Sequence, residues 1–278
     1  MKKSIILFSV ITACLLTSCI QKKPVKYSID YDSARDAYGS SLTIEPMNDS
    51  VRVGKDTIVI APEAEDVTYT LSGYFNGTIS CTTKNTVIKL KNAFLENSHG
   101  EPALSCDVKC EVSAAKDSTN YIVSWGKGYS RNAALEGKRN LVIGGGGTLY
   151  VSGKICHGIE AEETKIKGSG TFYIEGTLKG SALNCTTLTV EEEKTFTCYL
   201  LNSKNGIKAD DNISIASGNF YFYDNGTALK TDDSEDSPHQ VHYINLSGGL
   251  FHTFNNTSLY STEDDSWVVS GAKIIEEK

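Results

Sequence analysis

Ala134-Leu135, Gly158-Ile159, Ala182-Leu183 and Gly206-Ile207 are the stretches that decide the fold. In each pair a small residue precedes Leu or Ile, and the apolar members stand 24 residues apart three times running. The pair recurs upstream at Ala103-Leu104 and downstream at Ala228-Leu229 and Ser258-Leu259, with steps of 31, 22 and 30. Each long step holds an insertion, Ser124-Trp125-Gly126-Lys127-Gly128-Tyr129 in one and Asp232-Asp233-Ser234-Glu235-Asp236-Ser237-Pro238 in the other. A fixed period of this size marks a repeat architecture.

The second half of each unit is also repetitive. Leu141-Val142-Ile143, Gly144 to Gly147, then Thr148-Leu149-Tyr150-Val151 is an alternating run, a glycine turn and a second alternating run. Ile166 to Ile174 and Ile213 to Phe222 repeat the scheme. Alternation with period two is the strand signal, and glycine supplies the positive φ of tight turns. Such a unit cannot bury its own apolar face, but stacked copies can. The sequence therefore predicts an all-β fold, a single-stranded right-handed parallel β-helix of about 24 residues per coil. Leu104, Leu135, Ile159, Leu183, Ile207, Leu229 and Leu259 should form one inward column. Thr57–Ile60 and Thr68–Leu71 should open the stack, and Trp267–Val269 with Ile274-Ile275 should close it. A propeller blade needs about 40 residues, and a β-sandwich, the other reading of many short strands, has no reason to repeat in phase.

Outside the repeat, Met1-Lys2-Lys3 and the apolar run Ile5 to Leu16 read as a secretory signal, too short to span a bilayer. Leu16-Thr17-Ser18-Cys19 resembles the lipobox of bacterial lipoproteins, which implies diacylation of Cys19. The expected organisation is a lipoprotein signal over 1–18, a lipid-anchored tether over 19–50, ordered only near its end, and the β-helix over 51–278. The expected location is the bacterial envelope, at the outer membrane or cell surface, with the lipid as the sole membrane attachment. The net charge of −7, without a basic cluster, disfavours nucleic acid as a partner. The chain is expected to be a monomer.

Of eight cysteines, Cys14 lies in the signal and Cys19 is the lipid site. Cys106 and Cys185 occupy equivalent places three coils apart, about 14 Å at 4.8 Å per coil, beyond the reach of a disulfide. They are expected to be buried thiols, and Cys81, Cys110, Cys156 and Cys198 are left open. His239 and His242 read as exposed loop histidines.

Several motifs occur in a familiar order. They are Thr68-Tyr69-Thr70-Leu71-Ser72-Gly73, Asn92-Ala93-Phe94-Leu95, Glu101-Pro102-Ala103-Leu104, Ser118-Thr119-Asn120-Tyr121-Ile122, Asn132 to Leu141, Gly145 to Leu149 and Gly206-Ile207-Lys208-Ala209-Asp210-Asp211. Over roughly residues 55 to 260 the chain resembles a bacterial β-helical carbohydrate-binding domain family, whose founding member comes from a cellulose-degrading clostridium. The resemblance implies a pectate-lyase-like β-helix with bound calcium, affinity for acidic pectin and cellulose, and binding without cleavage. The family's Asp-Gly-Ile-Lys repeat is worn down at Gly158-Ile159-Glu160 and Ala182-Leu183-Asn184.

Two constellations are candidates for function. Asp210, Asp211, Asp232 and Asp233 fall on neighbouring coils, where stacked carboxylates repel unless a cation lies between them. Ca²⁺, which takes 6–8 oxygens, suits them. The second is an outward aromatic ladder: Tyr150, Tyr173, Thr197, Tyr221 and His252 in one row, with Ser152, Glu175, Tyr199, Tyr223 and Phe254 two places on. Tyr150, Tyr173, Tyr199, Tyr221 and Tyr223 are thus the expected polysaccharide contacts, their flat faces against sugar rings. The expected function is calcium-assisted polysaccharide binding without catalysis. The alternatives are a calcium-dependent polysaccharide lyase using Lys208 or Lys230 as base, a paired-carboxylate glycosidase, and a non-sugar adhesin.

Overall fold

The computed structural model of the protein describes residues 29–126, 133–232, 242–262 and 266–277. The expected signal segment, Cys19, Asp233 and His239 lie outside the described residues. Strands make up most of the described chain, which is wound as a parallel β-helix with three faces. One coil shows the pattern. The strand Ala133–Gly145 is bent by an irregularity between Gly137 and Asn140. Its first part pairs with Leu104–Cys106 on the first face and its second part with Cys110–Ala114 on the second. The next strand, Thr148–Gly153, pairs with Thr119–Ser124 on the third face.

Parallel pairing in register places like residues over one another. Ile58, Ile79, Leu104, Leu135, Ile159, Leu183, Ile207 and Leu229 form one first-face column, and every member is buried. The expected column is present and begins two coils earlier. Its last expected member, Leu259, also packs against the core, although the register puts the exposed Tyr260 opposite Leu229. On the third face Phe172 and Phe220, with Phe196 from a corner, fill the interior and stack on towards Phe251.

The corners are formed by residues that tolerate close approach. Gly145 has φ +103°, and a Cβ there would lie 2.0 Å from the Ala114 carbonyl oxygen. At the corner from third to first face, side-chain amides do the same work. Asn225 Oδ1 accepts from the Ser203 amide at 3.2 Å, and Asn256 Oδ1 accepts from the Asn225 amide at 2.9 Å.

The described part of the segment expected to be a tether, from residue 29, forms secondary structure. Asp30 caps the helix Tyr31–Asp36, accepting from the Ser33 amide at 3.1 Å. The strand Leu42–Glu45 then pairs antiparallel with Thr68–Asn76, and Val51–Val53 pairs antiparallel with Thr57–Ile60. Turned against the prevailing direction, these strands close the first edge of the stack, where open backbone groups would otherwise invite pairing. His242 is also unlike its expectation: it is 2 % exposed, drawn in at the start of the strand Tyr243–Leu246.

Because Leu183 packs between Ile159 and Ile207, Leu183→Ala should lower stability by about 2–5 kcal/mol. Thr189→Ala, on the outward side of the same strand, should cost less than about 1 kcal/mol. Chemical denaturation midpoints check the contrast.

Candidate functional site

The outward side of the third face carries a repeated Thr-x-Tyr pattern. Thr119, Thr148, Thr171 and Thr197 are in register with one another, and Asn219 continues the row. Two residues on, Phe94, Tyr121, Tyr150, Tyr173, Tyr199, Tyr221 and His252 form a second column. A third column runs Val123, Ser152, Glu175, Leu201, Tyr223 and Phe254.

Tyr199 therefore belongs with Tyr173 and Tyr221, and Leu201 holds the place expected for it. Thr197 falls back into the threonine row. The cause is the preceding corner. It spans 191–196 in this coil against 167–170 in the one before. The longer corner tucks Phe196 into the interior before the strand resumes. The correction makes the tyrosine column continuous.

The rings of this column stack on each other. Ring centroids are 4.8 Å apart from Tyr121 to Tyr150, 4.6 Å from Tyr150 to Tyr173, 4.6 Å from Tyr173 to Tyr199 and 4.9 Å from Tyr199 to Tyr221. Their planes are 5–19° from parallel. The ring faces are thus occupied by neighbouring rings, and the half-buried tyrosines meet the solvent at their edges. This corrects the expectation of open flat faces: the coil spacing is close to the preferred ring-stacking distance, so the rings satisfy one another. Tyr223 and Phe254 stack beside them at 4.3 Å.

The helix Tyr31–Asp36 lies across the upstream part of this face. Tyr31 is buried against Tyr121 and Trp125, with ring centroids at 6.2 and 5.8 Å, and Tyr38 packs edge-on against Phe94 and Tyr121. Two carboxylates fasten it. Glu96, buried, receives Arg35 Nη2 at 2.7 Å, Trp125 Nε1 at 2.8 Å and the Tyr74 hydroxyl at 2.5 Å. Glu175 receives Lys154 Nζ at 2.5 Å, the Ser152 hydroxyl at 2.9 Å and the Tyr31 hydroxyl at 3.3 Å. The sequence reading missed Tyr31, Arg35, Tyr38, Glu96 and Trp125. The one local signal was Asp30 three residues before Ser33, an N-cap on a helix too short to show periodicity.

The acidic corner is organised differently from its expectation. Asp210 accepts from Lys208 Nζ at 2.9 Å, and Asp232 binds Lys230 Nζ at 2.9 Å and Lys208 Nζ at 3.7 Å. The repulsion between these two carboxylates is offset by ammonium groups. Asp211 is the exception: its Oδ1 is buried without a protein partner, as are Asn212 Oδ1 and Thr231 Oγ1 nearby. Among the described residues no group of three or more His, Cys, Asp or Glu side chains converges to hold a metal. Beside this corner a depression of about 320 Å³ is lined by Glu136, Glu160, Asn184 and Asp210. A larger hollow of about 720 Å³ lies at the N-terminal cap, around Asn48, Arg52, Glu63 and Tyr69, remote from the tyrosine face. No helix among the described residues is long and apolar enough to cross a membrane.

The fold is shared with a solved structure, the polysaccharide lyase-like protein from C. thermocellum, described as a gadolinium derivative. The TM-score is 0.52 at 18% identity, over 83% of this chain and 88% of that one. The sequence pattern of a family described as carbohydrate-binding domain-containing protein matches residues 54–181 and 161–274. The chain belongs to this carbohydrate-binding family, and polysaccharide is the partner class that membership indicates. No curated protein matches it.

Burial raises the pKa of the covered tyrosines. Tyr38 and Tyr74 are each pushed up from 10 to about 12, Tyr38 by burial and Tyr74 by burial and then by Glu96. Burial raises Tyr31, Tyr121 and Tyr150 as well. A raised folded-state value means that the folded chain holds these protons longer than the unfolded chain, so stability falls as pH rises. Thermal stability should be insensitive to these groups below pH 10 and decline between pH 10 and about 12. Melting scans across that range, with tyrosinate absorbance read in parallel, check the sign.

Proposed function

We propose that the third face, from Tyr150 to Phe254, binds a neutral polysaccharide laid along the solenoid axis, on a protein held to the bacterial envelope by a lipid at Cys19. The observation that carries the reading is the pair of parallel rows, threonine and tyrosine, repeated from coil to coil. A row of hydroxyls beside aromatic edges offers hydrogen bonds to sugar hydroxyls at a constant spacing of about 4.8 Å. The outward residues of the strands Thr148–Gly153, Thr171–Glu175, Thr197–Leu201, Asn219–Tyr223 and Leu250–Phe254 include one carboxylate, Glu175, which Lys154 neutralises. A uronate chain calls for unpaired cations, and these strands present none outward. This favours an uncharged glycan such as cellulose over pectin.

Calcium enters this reading only as a structural ion at the corner of Asp211, away from the sugar face, where one buried carboxylate oxygen awaits a partner. Glycan retention should then be unaffected by a chelator, whereas calorimetric uptake of Ca²⁺ should be lost in Asp211→Asn.

The ring stack separates hydroxyl from aromatic contributions. Replacing Tyr173, Tyr199 and Tyr221 together by Phe keeps the stack and removes three hydroxyls. At about 0.5–1.5 kcal/mol per hydrogen bond, retention on cellulose should fall at least tenfold. Unchanged retention in the corresponding triple Ala variant would end the proposal. Preferential retention on pectin would overturn the neutral assignment, and release of unsaturated uronides would establish the lyase alternative. Incorporation of a labelled fatty acid, lost in Cys19→Ser, tests the anchor.

A further inference from the structure

The sequence leaves the state of Cys81 and Cys110 open, and the fold brings both to one place. Cys81, at the end of the strand Thr78–Cys81, lies directly opposite Cys106 on the next coil of the first face. Cys110 opens the second-face strand Cys110–Ala114 just past the corner Asp107-Val108-Lys109 and stands opposite Thr86 of Cys81's coil. All three side chains point into the stack and are at most 1% exposed. The Cys110 thiol lies close enough to Cys81 and Cys106 for each to act on it. All are free thiols in this structure. In later coils the Cys106 position is taken by Gly137, Ala161, Cys185, Ala209 and Thr231, and no second thiol is among the groups acting on Cys185 or Cys198. The sulfur cluster is therefore confined to the first coils, beside the antiparallel cap, where a solenoid frays most readily.

We infer that Cys81 and Cys110 are a disulfide site that staples two successive coils at the capped end of the solenoid. The position suits the bond: Cys81 and Cys110 stand on successive coils, either side of one corner, with both side chains turned into the same part of the interior. Of the two partners available to Cys110, Cys106 is only four residues away along the chain and would constrain little. Cys81 closes the whole intervening coil, and the gain from a cross-link grows with the loop it closes.

The oxidant is a disulfide of low molecular weight, such as oxidised glutathione. One protein thiolate attacks it and expels the first thiolate. The second protein thiolate attacks the resulting mixed disulfide and expels the other. Two protein thiols and one small disulfide become one protein disulfide and two small thiols. In the finished fold a neighbouring thiol, Cys110 for Cys81 and Cys106 for Cys110, and then burial hold both protonated. The exchange therefore belongs to folding, before the coils close, when both thiols are ordinary ones.

The test refolds the full chain from denaturant in a buffer of reduced and oxidised glutathione, blocks remaining thiols, and maps peptides by mass spectrometry. The expected result is a reductant-sensitive peptide pair joining Cys81 and Cys110, with the count of blockable thiols lowered by two. The pair should persist in Cys106→Ser and vanish in Cys81→Ser. Reducing the refolded wild type should lower its melting temperature by about 5–10 °C. A thiol count unchanged from the reduced chain, or a pair joining Cys106 to Cys110 instead, would overturn the inference. Both are read in the wild type, so the result stands even where a serine variant fails to fold.

Discussion

Parallel hydrogen bonding in register between successive coils is the constraint on which everything else rests. It sets a vertical spacing of about 4.8 Å and forces equivalent side chains to lie on top of one another. Each position in the repeat therefore becomes a column, and a column is stable only when its members tolerate their own kind. Aliphatic residues do, and Ile58 to Leu229 fill the interior. Aromatic rings do, at a spacing the coil already provides. Asparagine amides do, each accepting from the neighbouring coil's backbone.

Like charges do not, and the outward columns show how the chain avoids the conflict. Lys208 and Lys230 are themselves stacked, and each turns its ammonium group to an aspartate two residues along its own chain. The result is a ladder of compensated pairs across the strands. The same logic fastens the N-terminal helix. Glu96 and Glu175, isolated acids among apolar and aromatic neighbours, are neutralised by Arg35 and Lys154 and receive neutral donors besides. Burying such a carboxylate is tolerable only with this degree of pairing.

The third face combines these rules into a surface with a chemical identity. Its rings spend their faces on each other, which makes the column rigid, and what is left for a ligand is a line of hydroxyls and ring edges. A rigid, uncharged, periodic surface matches a rigid, uncharged, periodic polymer at little entropic cost. That match is the physical basis of the proposed reading, within the carbohydrate-binding family to which the chain belongs.

The sequence by itself determined the solenoid. The 24-residue spacing of Leu135, Ile159, Leu183 and Ile207 is visible because a stacked fold writes its period into the chain. It also picked out the tyrosines of the third face and the buried character of Cys106 and Cys185. The tertiary structure alone decided what depends on corner length and on contacts without a period. The corner at 191–196 moved Tyr199 into its column, and the last coil set Tyr260 in register with Leu229 while Leu259 stayed against the core. The helix Tyr31–Asp36 is a single element with no repeat to betray it, so Tyr31, Arg35 and their hold on Glu96 and Glu175 are legible only in three dimensions. The lysine contacts of Asp210 and Asp232 are legible only there for the same reason. Periodicity records which residues stack, but not which way a flexible side chain turns to meet a charge.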